Sequence, residues 1–524
     1  MSKSLQPRKT IEHFVVTAEK MQQIEHRMFD AGMPVAALME KVSSRLVQRF
    51  ITWLAQREKR VGVLAGPGHN GGDALVMARE LHHLGYEVKV YQPFSKLKPL
   101  TEQHAQYAEH VGIPFVESID ELVQCDALID GCFGFGLTRP IEGSLATDIE
   151  QINKQTLPTF CIDLPSGIHT DTGAVMGCAM RADFTACLGL WKRAFMQENA
   201  LAYLGKSELV DFDIPLEDAK TVLGEVPQVQ RITDEAAIAH LPLHRAPTAH
   251  KYKAGHLLLV AGSRQYAGAA LLSGLGATAS GVGMLTLAVP ESIRLSLLPQ
   301  LPGALLIGCD ETEEGAVRTL PAGLDLEKYD AIALGPGLTT DAATVFEQVF
   351  SRNLPLLLDA DGLNILAEQG ATEALKKRES PTVLTPHAGE FKRLFSRIQA
   401  NEDFLPGEIA QQAAQASGAI VLLKGPRSAI AYQNRLWFNP DSTAALARGG
   451  SGDVLTGLMG GLLANAAQPK DWKENQSALT SAVIGAVWWH SQAAIKLSQK
   501  RTVLGVDPLQ LAQTLNSALK EIIG

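Results

Sequence analysis

The sequence predicts a two-domain α/β protein, and three observations support this fold class. The chain has 524 residues, which is more than a single domain usually holds. Short apolar runs alternate with helical patterns in both halves, an alternation that is typical of parallel sheets with helices on both faces. Between the halves, the stretch 213–231 lacks a strong period. We therefore place the boundary there and predict domains at residues 1–225 and 226–524.

The predicted elements follow the change between helical and strand-like periods. In the first half, a helical pattern covers residues 17–56 with a break near Gly32, and a second helix is predicted at residues 74–84. The strands predicted in this half are residues 61–65, 87–91, 127–130, 159–163 and 184–188. In the second half, the predicted strands are residues 256–262, 284–289, 331–334, 356–359, 383–385 and 419–423, and the clearest helices are residues 267–281 and 454–464.

Composition and charge exclude several classes of function. The formal net charge is −9 and no basic tract is present, so we expect no nucleic acid partner. No apolar stretch reaches the ~18–20 residues that a membrane helix needs, and no apolar segment follows the polar start as in a signal peptide. The six cysteines form no C-x-x-C pair, which indicates reduced and mostly buried thiols. We expect a cytoplasmic protein, and we also expect it to form a homo-oligomer.

Three predicted strands of the first half end in loops that are rich in glycine and polar residues. The first loop is Gly66-Pro67-Gly68-His69-Asn70-Gly71-Gly72-Asp73, which opens a helix, so that its backbone N–H groups can hold an anion. It also fits G-x-G-x-x-G, but the next strand ends without the acidic residue that a Rossmann dehydrogenase uses for ribose. The second loop is Asp130–Pro140, and the third is Asp163-Leu164-Pro165-Ser166-Gly167, with Asp163 where an acid–base group would sit. Taken singly, each loop could also be a glycine turn or a capped turn without a ligand.

Together, the three loops resemble the epimerase domain of the NAD(P)H-hydrate repair family, whose loops read close to G-P-G-N-N-G-G-D, D-x-x-x-G-x-G and D-x-P-S-G. The resemblance spans roughly residues 17–213. It implies a Rossmann-like parallel-sheet domain that interconverts the R and S hydrates of NADH and NADPH, with Asp163 as the catalytic carboxylate. The residues that it implies for binding the hydrated dinucleotide are His69, Asn70, Gly71, Gly72, Asp73, Gly134, Phe135, Gly136, Leu137, Thr138, Arg139, Pro140 and Asp163.

The same resemblance implies a potassium ion (K⁺) held at Asn70, Asp130 and Ser166. These side chains end or follow three different strands, so they can converge at the carboxyl edge of the sheet. An amide, a carboxylate and a hydroxyl offer hard oxygen ligands, which suit an alkali or alkaline-earth cation. A single carboxylate favours a monovalent ion. The alternative is that these residues only hydrogen-bond their own loops.

In the second half, Gly449-Gly450-Ser451-Gly452-Asp453 opens an apolar helix. Consecutive backbone N–H groups at a helix start form an anion hole, and Asp453 is placed there to deprotonate a hydroxyl that attacks a phosphoryl group. The sequence contains no G-x-x-x-x-G-K-[ST] loop, so the phosphate would be held by this segment instead. A glycine turn that Asp453 only caps is the alternative.

This pattern resembles the signature of ribokinase-like enzymes, and with other strand-end motifs it resembles the dehydratase domain of the same repair family, over about residues 232–524. The resemblance implies a ribokinase-like α/β domain that transfers a phosphoryl group from ADP, with Mg²⁺, to the hydroxyl of the S hydrate and then eliminates phosphate. Asp453 would be its catalytic residue. The implied hydrate contacts are Ala269, Gly337, His387 and Asp453, and the implied ADP contacts are Lys424, Gly425, Pro426, Arg427, Ser428 and Gly452.

Two other functions are compatible with parts of the pattern. One is a ribokinase-like small-molecule kinase fused to a dinucleotide-binding regulatory module, which would release a stable phosphate ester. The other is an N-terminal module that recognises a protein partner without catalysis. Asn70, Asp130, Asp163 and Ser166 argue against pure binding, because a scaffold does not need them.

Overall fold

The chain divides into two units, Met1–Gln230 and Arg231–Gly524. The computed structural model describes residues 11–54, 60–245, 247–248, 250–399, 405–468 and 476–524. Among the helices that it describes, none combines the length and apolar character that a membrane span requires. All six cysteines are free thiols, and all but the half-buried Cys125 are buried, which confirms the prediction made from their spacing.

The first unit contains seven helices and nine strands in its described part. The helices are α1 (Ala18–Asp30), α2 (Val35–Leu54), α3 (His69–His83), α4 (Pro99–His110), α5 (Gly143–Asn153), α6 (Leu201–Leu204) and α7 (Leu216–Leu223). The strands are β1 (Val15–Val16), β2 (Arg60–Ala65), β3 (Glu87–Tyr91), β4 (Phe115–Val116), β5 (Ala127–Gly131), β6 (Thr159–Ile162), β7 (Phe184–Leu188), β8 (Trp191–Lys192) and β9 (Lys206–Val210). A short strand, β10 (Val229–Arg231), spans the division between the units.

The main sheet of the first unit is wholly parallel and runs in the order β4-β3-β2-β5-β6-β7-β9. All residues of β5 and β6 are buried, as expected for central strands that helices cover on both faces. The order of the strands reverses between β2 and β5, and such a switch point is where open α/β sheets bind ligands. The three glycine-rich loops follow β2, β5 and β6, so the topology brings them to one edge.

The second unit contains twelve helices and ten further strands in its described part. The helices are α8 (Asp234–Ala239), α9 (Ala267–Ala279), α10 (Glu291–Leu297), α11 (Ala343–Phe350), α12 (Asp361–Glu368), α13 (Ala371–Lys376), α14 (Ala388–Leu394), α15 (Ser396–Gln399), α16 (Pro406–Ser417), α17 (Ser451–Ala466), α18 (Gln476–Arg501) and α19 (Pro508–Ile523). The strands are β11 (His256–Val260), β12 (Met284–Pro290), β13 (Leu305–Glu311), β14 (Val317–Thr319), β15 (Ala331–Leu334), β16 (Leu356–Leu358), β17 (Thr382–Leu384), β18 (Ile420–Leu423), β19 (Ala429–Tyr432) and β20 (Arg435–Phe438).

The sheet of this unit runs β20-β19-β18-β17-β16-β15-β11-β12-β13-β14. Its central strands, from β18 to β13, are parallel, and its switch point lies between β11 and β15. The predicted α/β class is therefore confirmed in both halves. The antiparallel strands β14, β19 and β20 at the two edges were not predicted. They are three or four residues long, which is too short for a clear period.

Two helices begin earlier than their sequence patterns indicate. Helix α3 begins at His69 rather than at Ala74, and α17 begins at Ser451 rather than at Val454. Both early turns contain glycines, whose low helix propensity made them look like loop. In each case close packing against a neighbouring element outweighs propensity. The functional consequence is that His69, Asn70 and Asp453 lie in the first turn of a helix and not before it.

Helices α9 and α17 cross at very short range because a glycine of each helix faces the backbone of the other helix. A methyl group on Gly457 of α17 would lie 1.8 Å from the carbonyl oxygen of Ser273 in α9. A methyl group on Gly276 of α9 would lie 2.2 Å from the carbonyl oxygen of Val454. No side chain carbon fits at such distances, so this crossing fixes the position of α17, whose first turn carries Asp453.

We expect Gly457→Ala to lower the free energy of unfolding by about 1–3 kcal/mol or more, because the helices must separate to admit the methyl group. Gly268→Ala in α9 is the matched control, since no atom lies within 4 Å of the added methyl there. That change should leave stability unchanged or slightly higher. Urea unfolding followed by circular dichroism measures both variants, and equal stability of the two would contradict the crossing as described.

Candidate active sites at the carboxyl edges of the two sheets

A cavity of about 990 Å³ opens where β2, β5 and β6 end in the first unit. It is lined by all of the residues predicted to bind the dinucleotide except Gly71 and Gly72. Helices α1 and α2 supply further lining residues, including Glu25 and Met39, and Lys98 lies at the start of α4. The volume lies at the upper end of the range usual for small-molecule pockets, as a dinucleotide requires.

Gly71 and Gly72 lie behind the cavity wall and act through packing. A methyl group on Gly71 would lie 1.9 Å from the carbonyl oxygen of Gly66, and one on Gly72 would lie 2.7 Å from the side chain of Met39. The lack of a side chain at Gly71 lets the first turn of α3 rest on the segment that follows β2, and Gly72 leaves room for Met39 of α2. His69 and Asn70 of this turn line the cavity, and a helix N-terminus favours negative charge.

Asp163 is held in place by a buried lysine that the sequence analysis did not identify. Its backbone adopts a left-handed conformation with φ of 67°, which is strained for a residue with a side chain. The Nζ of Lys192 donates to Asp163 Oδ1, and both side chains are buried. Phe135 N donates to Oδ2 at 2.8 Å, and Leu188 N donates to Oδ1 at 3.2 Å. Burial is the largest effect and lowers the pKa of Lys192, but the charge and hydrogen bond of Asp163 together with the charges of Cys187 and Glu25 outweigh it, so the pKa is raised.

Asp130 and Ser166 meet directly beneath the cavity. Ser166 Oγ donates to Asp130 Oδ1 at 2.6 Å, and Ser166 N donates to Oδ2 at 2.8 Å. Burial raises the pKa of Asp130, and the only opposing effects come from neutral donors rather than from a cation in the described part of the chain. A methyl group on Gly134 would be 3.0 Å from Asn70 Oδ1 and 3.0 Å from Asp163 Oδ2, which places the Asn70 side chain beside Asp163. The Nδ2 of Asn70 is buried without a hydrogen-bond partner among the described residues.

Two charged residues of this site were missed, and each left a weak signal in the sequence. Lys192 stands in the apolar run Leu188-Gly189-Leu190-Trp191 just after a predicted strand, where an exposed lysine is unexpected. Glu25 lies on α1 next to the buried positions Ile24 and Met28. Burial raises the pKa of Glu25 to about 7, although the positive charge of Lys192 opposes the shift.

The second unit gathers charged groups where β16, β17 and β18 end. Lys424 Nζ donates to Asp359 Oδ1 at 2.7 Å, and Thr456 Oγ1 of α17 donates to Asp359 Oδ2 at 2.6 Å. Burial raises the pKa of Asp359, but Lys424 and these hydrogen bonds outweigh it, so the pKa is lowered. A methyl group on Gly452 would lie 3.7 Å from Lys424 Nζ, which places the first turn of α17 against this ion pair.

Asp453 lies in that first turn beside the ion pair. Its side chain is half-buried. Burial, followed by the negative charge of Asp359, raises the pKa of Asp453 to about 7, with Lys424 opposing. A carboxyl group with this pKa exchanges protons readily near neutrality, and the amides of the helix start lie within the same turn. The arrangement can therefore bind an anion and remove a proton at the same place.

Two of the predicted hydrate contacts of the second unit, Ala269 and Gly337, follow the strands at its switch point, and His387 follows β17. Ala269 and Gly337 face each other, because a methyl group on Gly337 would be 2.8 Å from the Cβ of Ala269. His387 Nδ1 accepts from Gly389 N at 3.0 Å and caps α14, while its side chain stays largely exposed. Backbone pairing joins His387 to Lys424.

Five of the six predicted nucleotide contacts, Lys424 to Ser428, form the loop between β18 and β19, and the sixth, Gly452, lies in the first turn of α17. Ser428 Oγ donates to the carbonyl oxygen of Gly425 at 3.0 Å, which closes the turn that contains Pro426. Burial lowers the pKa of Arg427 to about 10, with Asp441 opposing this shift. The loop therefore has a fixed shape, and Lys424 at its start is already paired with a carboxylate.

Comparison with known families divides the chain in the same way. A family model described as YjeF-related protein N-terminus matches residues 35–194. A family model described as NAD(P)H-hydrate dehydratase matches residues 257–517. Each match contains the site residues predicted from the sequence in one unit, and Glu25 lies outside the first match.

Similar proteins extend over almost the whole length. A protein of Synechocystis sp. named bifunctional NAD(P)H-hydrate repair enzyme Nnr is 51% identical over 512 residues, which cover 97% of this chain and 95% of that protein. A protein of Thermosynechococcus vestitus with the same name is 50% identical over 512 residues, which cover 97% of this chain and 98% of that protein. A similar solved structure is the crystal structure of an ADP/ATP-dependent NAD(P)H-hydrate dehydratase from Bacillus subtilis, co-crystallised with ATP/Mg²⁺. Its sequence is 32% identical to this chain, the alignment covers 55% of this chain and 97% of that protein, and the TM-score is 0.45.

Proposed function

Because the chain belongs to the family of bifunctional NAD(P)H-hydrate repair enzymes, we propose that residues 1–225 interconvert the R and S hydrates and that residues 226–524 dehydrate the S form. Membership of this family favours repair over the small-molecule kinase and the protein-binding module considered from the sequence. The observation that carries the proposal is a separate set of acid–base residues in each unit. The cytoplasmic location and the homo-oligomeric state stay predictions.

We propose that Asp163 is the base of the epimerase site. The hydrate carries a hydroxyl group on C6 of the reduced nicotinamide ring, and changing its configuration requires proton transfer at that oxygen. Asp163 lines the cavity, and three donors fix its orientation. The first turn of α3 and the segment from Gly134 to Pro140 would hold the dinucleotide around it.

We propose that Asp453 starts the dehydratase reaction. It would take the proton of the C6 hydroxyl while that oxygen attacks the terminal phosphoryl group of ADP, so that AMP leaves. Phosphate then departs from C6 as a proton leaves C5, which restores the double bond of NADH or NADPH. The first turn of α17 would hold the transferring phosphoryl group. Residues Lys424 to Ser428 would contact ADP, and Ala269, Gly337 and His387 would contact the hydrate.

Mg²⁺ would bind at this site mainly through the phosphates of the nucleotide and not through protein ligands alone. Among the described residues, no group of three His, Cys, Asp or Glu side chains could hold a metal ion by itself. Mg²⁺ commonly binds through one or two carboxylates together with substrate phosphates. Asp361 is a carboxylate close enough to influence the pKa of Asp453, and we propose it as the protein ligand. The ion would offset phosphate charge.

Potassium fits the first site on the chemistry of the residues present. Asp130 is a fully buried carboxylate, and among the described residues only neutral donors surround it. A cation of low charge density held by the oxygen atoms of Asn70, Asp130 and Ser166 would offset its negative charge. It would supply positive charge near the dinucleotide phosphates when bound.

Because potassium would bind only the folded state, we expect it to stabilise the full-length protein. The gain is about 2.7 kcal/mol when the potassium concentration is a hundredfold above its Kd. Thermal unfolding in potassium and in tetramethylammonium chloride at equal ionic strength measures this, and Ser166→Ala should reduce the difference. Crystals of the full chain soaked in rubidium should give an anomalous peak between Asn70 and Asp130. Equal stability in both salts, together with no peak, would exclude the ion.

The experiment that tests the whole proposal supplies hydrated NADH and ADP to the purified chain. Recovery of the absorbance of reduced nicotinamide from both epimers is the expected result. Formation of a stable phosphate ester without that recovery would support the kinase alternative.

A further inference from the structure

Helix α1 forms one wall of the cavity in the first unit. One face of the helix lines it, with Glu19, Gln22, Glu25, His26 and Phe29, and the opposite face is buried in the core. Glu25 lies in the middle of the lining face and is half-buried. Its carboxyl group makes no hydrogen bond with any other residue that the structure describes, whereas Asp163 is bound by three donors.

Glu25 and Asp163 reach the cavity from different elements and have different surroundings. Asp163 makes an ion pair with the buried Lys192. Burial raises the pKa of Glu25 to about 7; Lys192 and Lys98 lower it, and Asp163 raises it. The other titratable or charged groups that line the cavity outside α1 are His69, Asp73, Lys98, Cys132, Arg139, Glu142 and Asp163.

We propose that Glu25 is the second proton-transferring carboxyl group of the epimerase site and works with Asp163 on the two faces of the nicotinamide ring; this rests on the epimerase function proposed above. Glu25 protonates the hydroxyl on one face, the C6–O bond breaks, and water leaves as the lone pair of N1 forms a C6=N1 bond. Water then adds to C6 from the other face, the electron pair returns to N1, and Asp163 takes the proton. The reverse direction exchanges the two roles, so no oxidant or further reactant is needed.

The different roles of the two carboxyl groups follow from their surroundings. Asp163 makes an ion pair with Lys192, whereas burial raises the pKa of Glu25 to about 7, so the proton that the reaction needs resides on Glu25 below that pH. Epimerisation consumes and releases no net proton, so its equilibrium constant does not depend on pH. The kcat/KM values in both directions must therefore fall together as Glu25 loses its proton, that is, as pH rises through about 7.

The test uses the full-length protein with pure R and S hydrates as probes, without ADP, so that dehydration does not consume them. Chromatographic separation of the epimers gives rates across the pH range for the wild type, Glu25→Gln, Glu25→Asp and Asp30→Asn. Asp30 is the matched control, since it ends the same helix, is exposed and does not line the cavity. We expect Glu25→Gln to lower kcat by about 10²-fold or more, and Asp30→Asn to have no effect. Glu25→Asp should recover part of the rate and keep the fall of activity with rising pH.

The possible outcomes separate this proposal from the epimerase function itself. A wild type that interconverts the epimers no faster than the spontaneous rate overturns both. Normal wild-type activity with a kcat of Glu25→Gln equal to that of Asp30→Asn overturns the role of Glu25 alone. The role of Glu25 is also overturned by a Glu25→Asp variant whose kcat is as low as that of Glu25→Gln, provided that thermal unfolding shows both variants to be folded.

Discussion

Replacement of Asp453 by asparagine is expected to lower the rate of ADP-dependent dehydration of the S hydrate by about 10²–10⁴-fold, the usual contribution of a general base. The amide has nearly the same shape as the carboxyl group but cannot accept the hydroxyl proton. The hydrogen bonds between Lys424, Asp359 and Thr456 do not involve Asp453, so the ion pair beside it should persist. Interconversion of the epimers should continue at the wild-type rate, because its residues lie in the other unit.

The dependence of dehydration on pH adds a second measurement to this variant. The pKa of Asp453 is raised to about 7, and only the deprotonated form can act as a base. The wild-type rate should therefore rise as pH rises through about 7, and the residual rate of Asp453→Asn should lack that rise. Asp310→Asn, an exposed position on β13, is the control. Near-normal dehydration by Asp453→Asn would remove this residue from the mechanism.

Asp163→Asn is expected to have the opposite effect. The S hydrate should still be dehydrated, and the R hydrate should be repaired only at its spontaneous rate of epimerisation, a loss of about 10²–10⁴-fold in catalysed epimerisation. Absorbance recovery from each pure epimer with ADP distinguishes the two activities. Equal loss on both epimers would mean that the sites are not independent or that their roles are misassigned.

The buried lysine makes a second variant necessary for this prediction. Asp163→Asn leaves Lys192 charged and unpaired in the interior, and breaking a buried pair in this way costs about 3–5 kcal/mol of stability. The double variant Asp163→Asn with Lys192→Met removes both charges, so we expect it to recover most of the stability and none of the epimerase activity. Recovery of activity together with stability would show that Asp163 acts only through the fold.

The residues that end strands could be predicted from the sequence, and the residues that reach them from elsewhere could not. The motifs around Asp163 and Asp453 follow apolar runs or precede an apolar helix, so local pattern and the geometry of parallel sheets were enough to indicate their positions. Lys192 lies in β8 and contacts Asp163, which follows β6, and Glu25 lies on helix α1. A sequence pattern within one element cannot reveal such contacts, because they depend on tertiary packing.

The edges of the second sheet show a similar limit. Strands β19 and β20 pair through four residues each, and the turn between them contains Gln433 with a positive φ of 53°. Without a glycine in that turn, the usual sequence signal of a hairpin is missing. The hairpin forms because its apolar side chains are buried, which becomes visible only once the rest of the unit has folded.

The crowded glycines change how natural variation in such proteins should be interpreted. Every other amino acid carries a Cβ, so no substitution of Gly71, Gly276 or Gly457 yields a residue that fits the space available. Selection for folding alone would keep these positions unchanged, even in a copy of the gene whose product no longer needed to be active. Invariance at Gly71 would therefore be no sign of substrate contact, although it stands within a binding motif. Loss of Asp163 or Asp453 in an otherwise intact gene would instead report relaxed selection on catalysis.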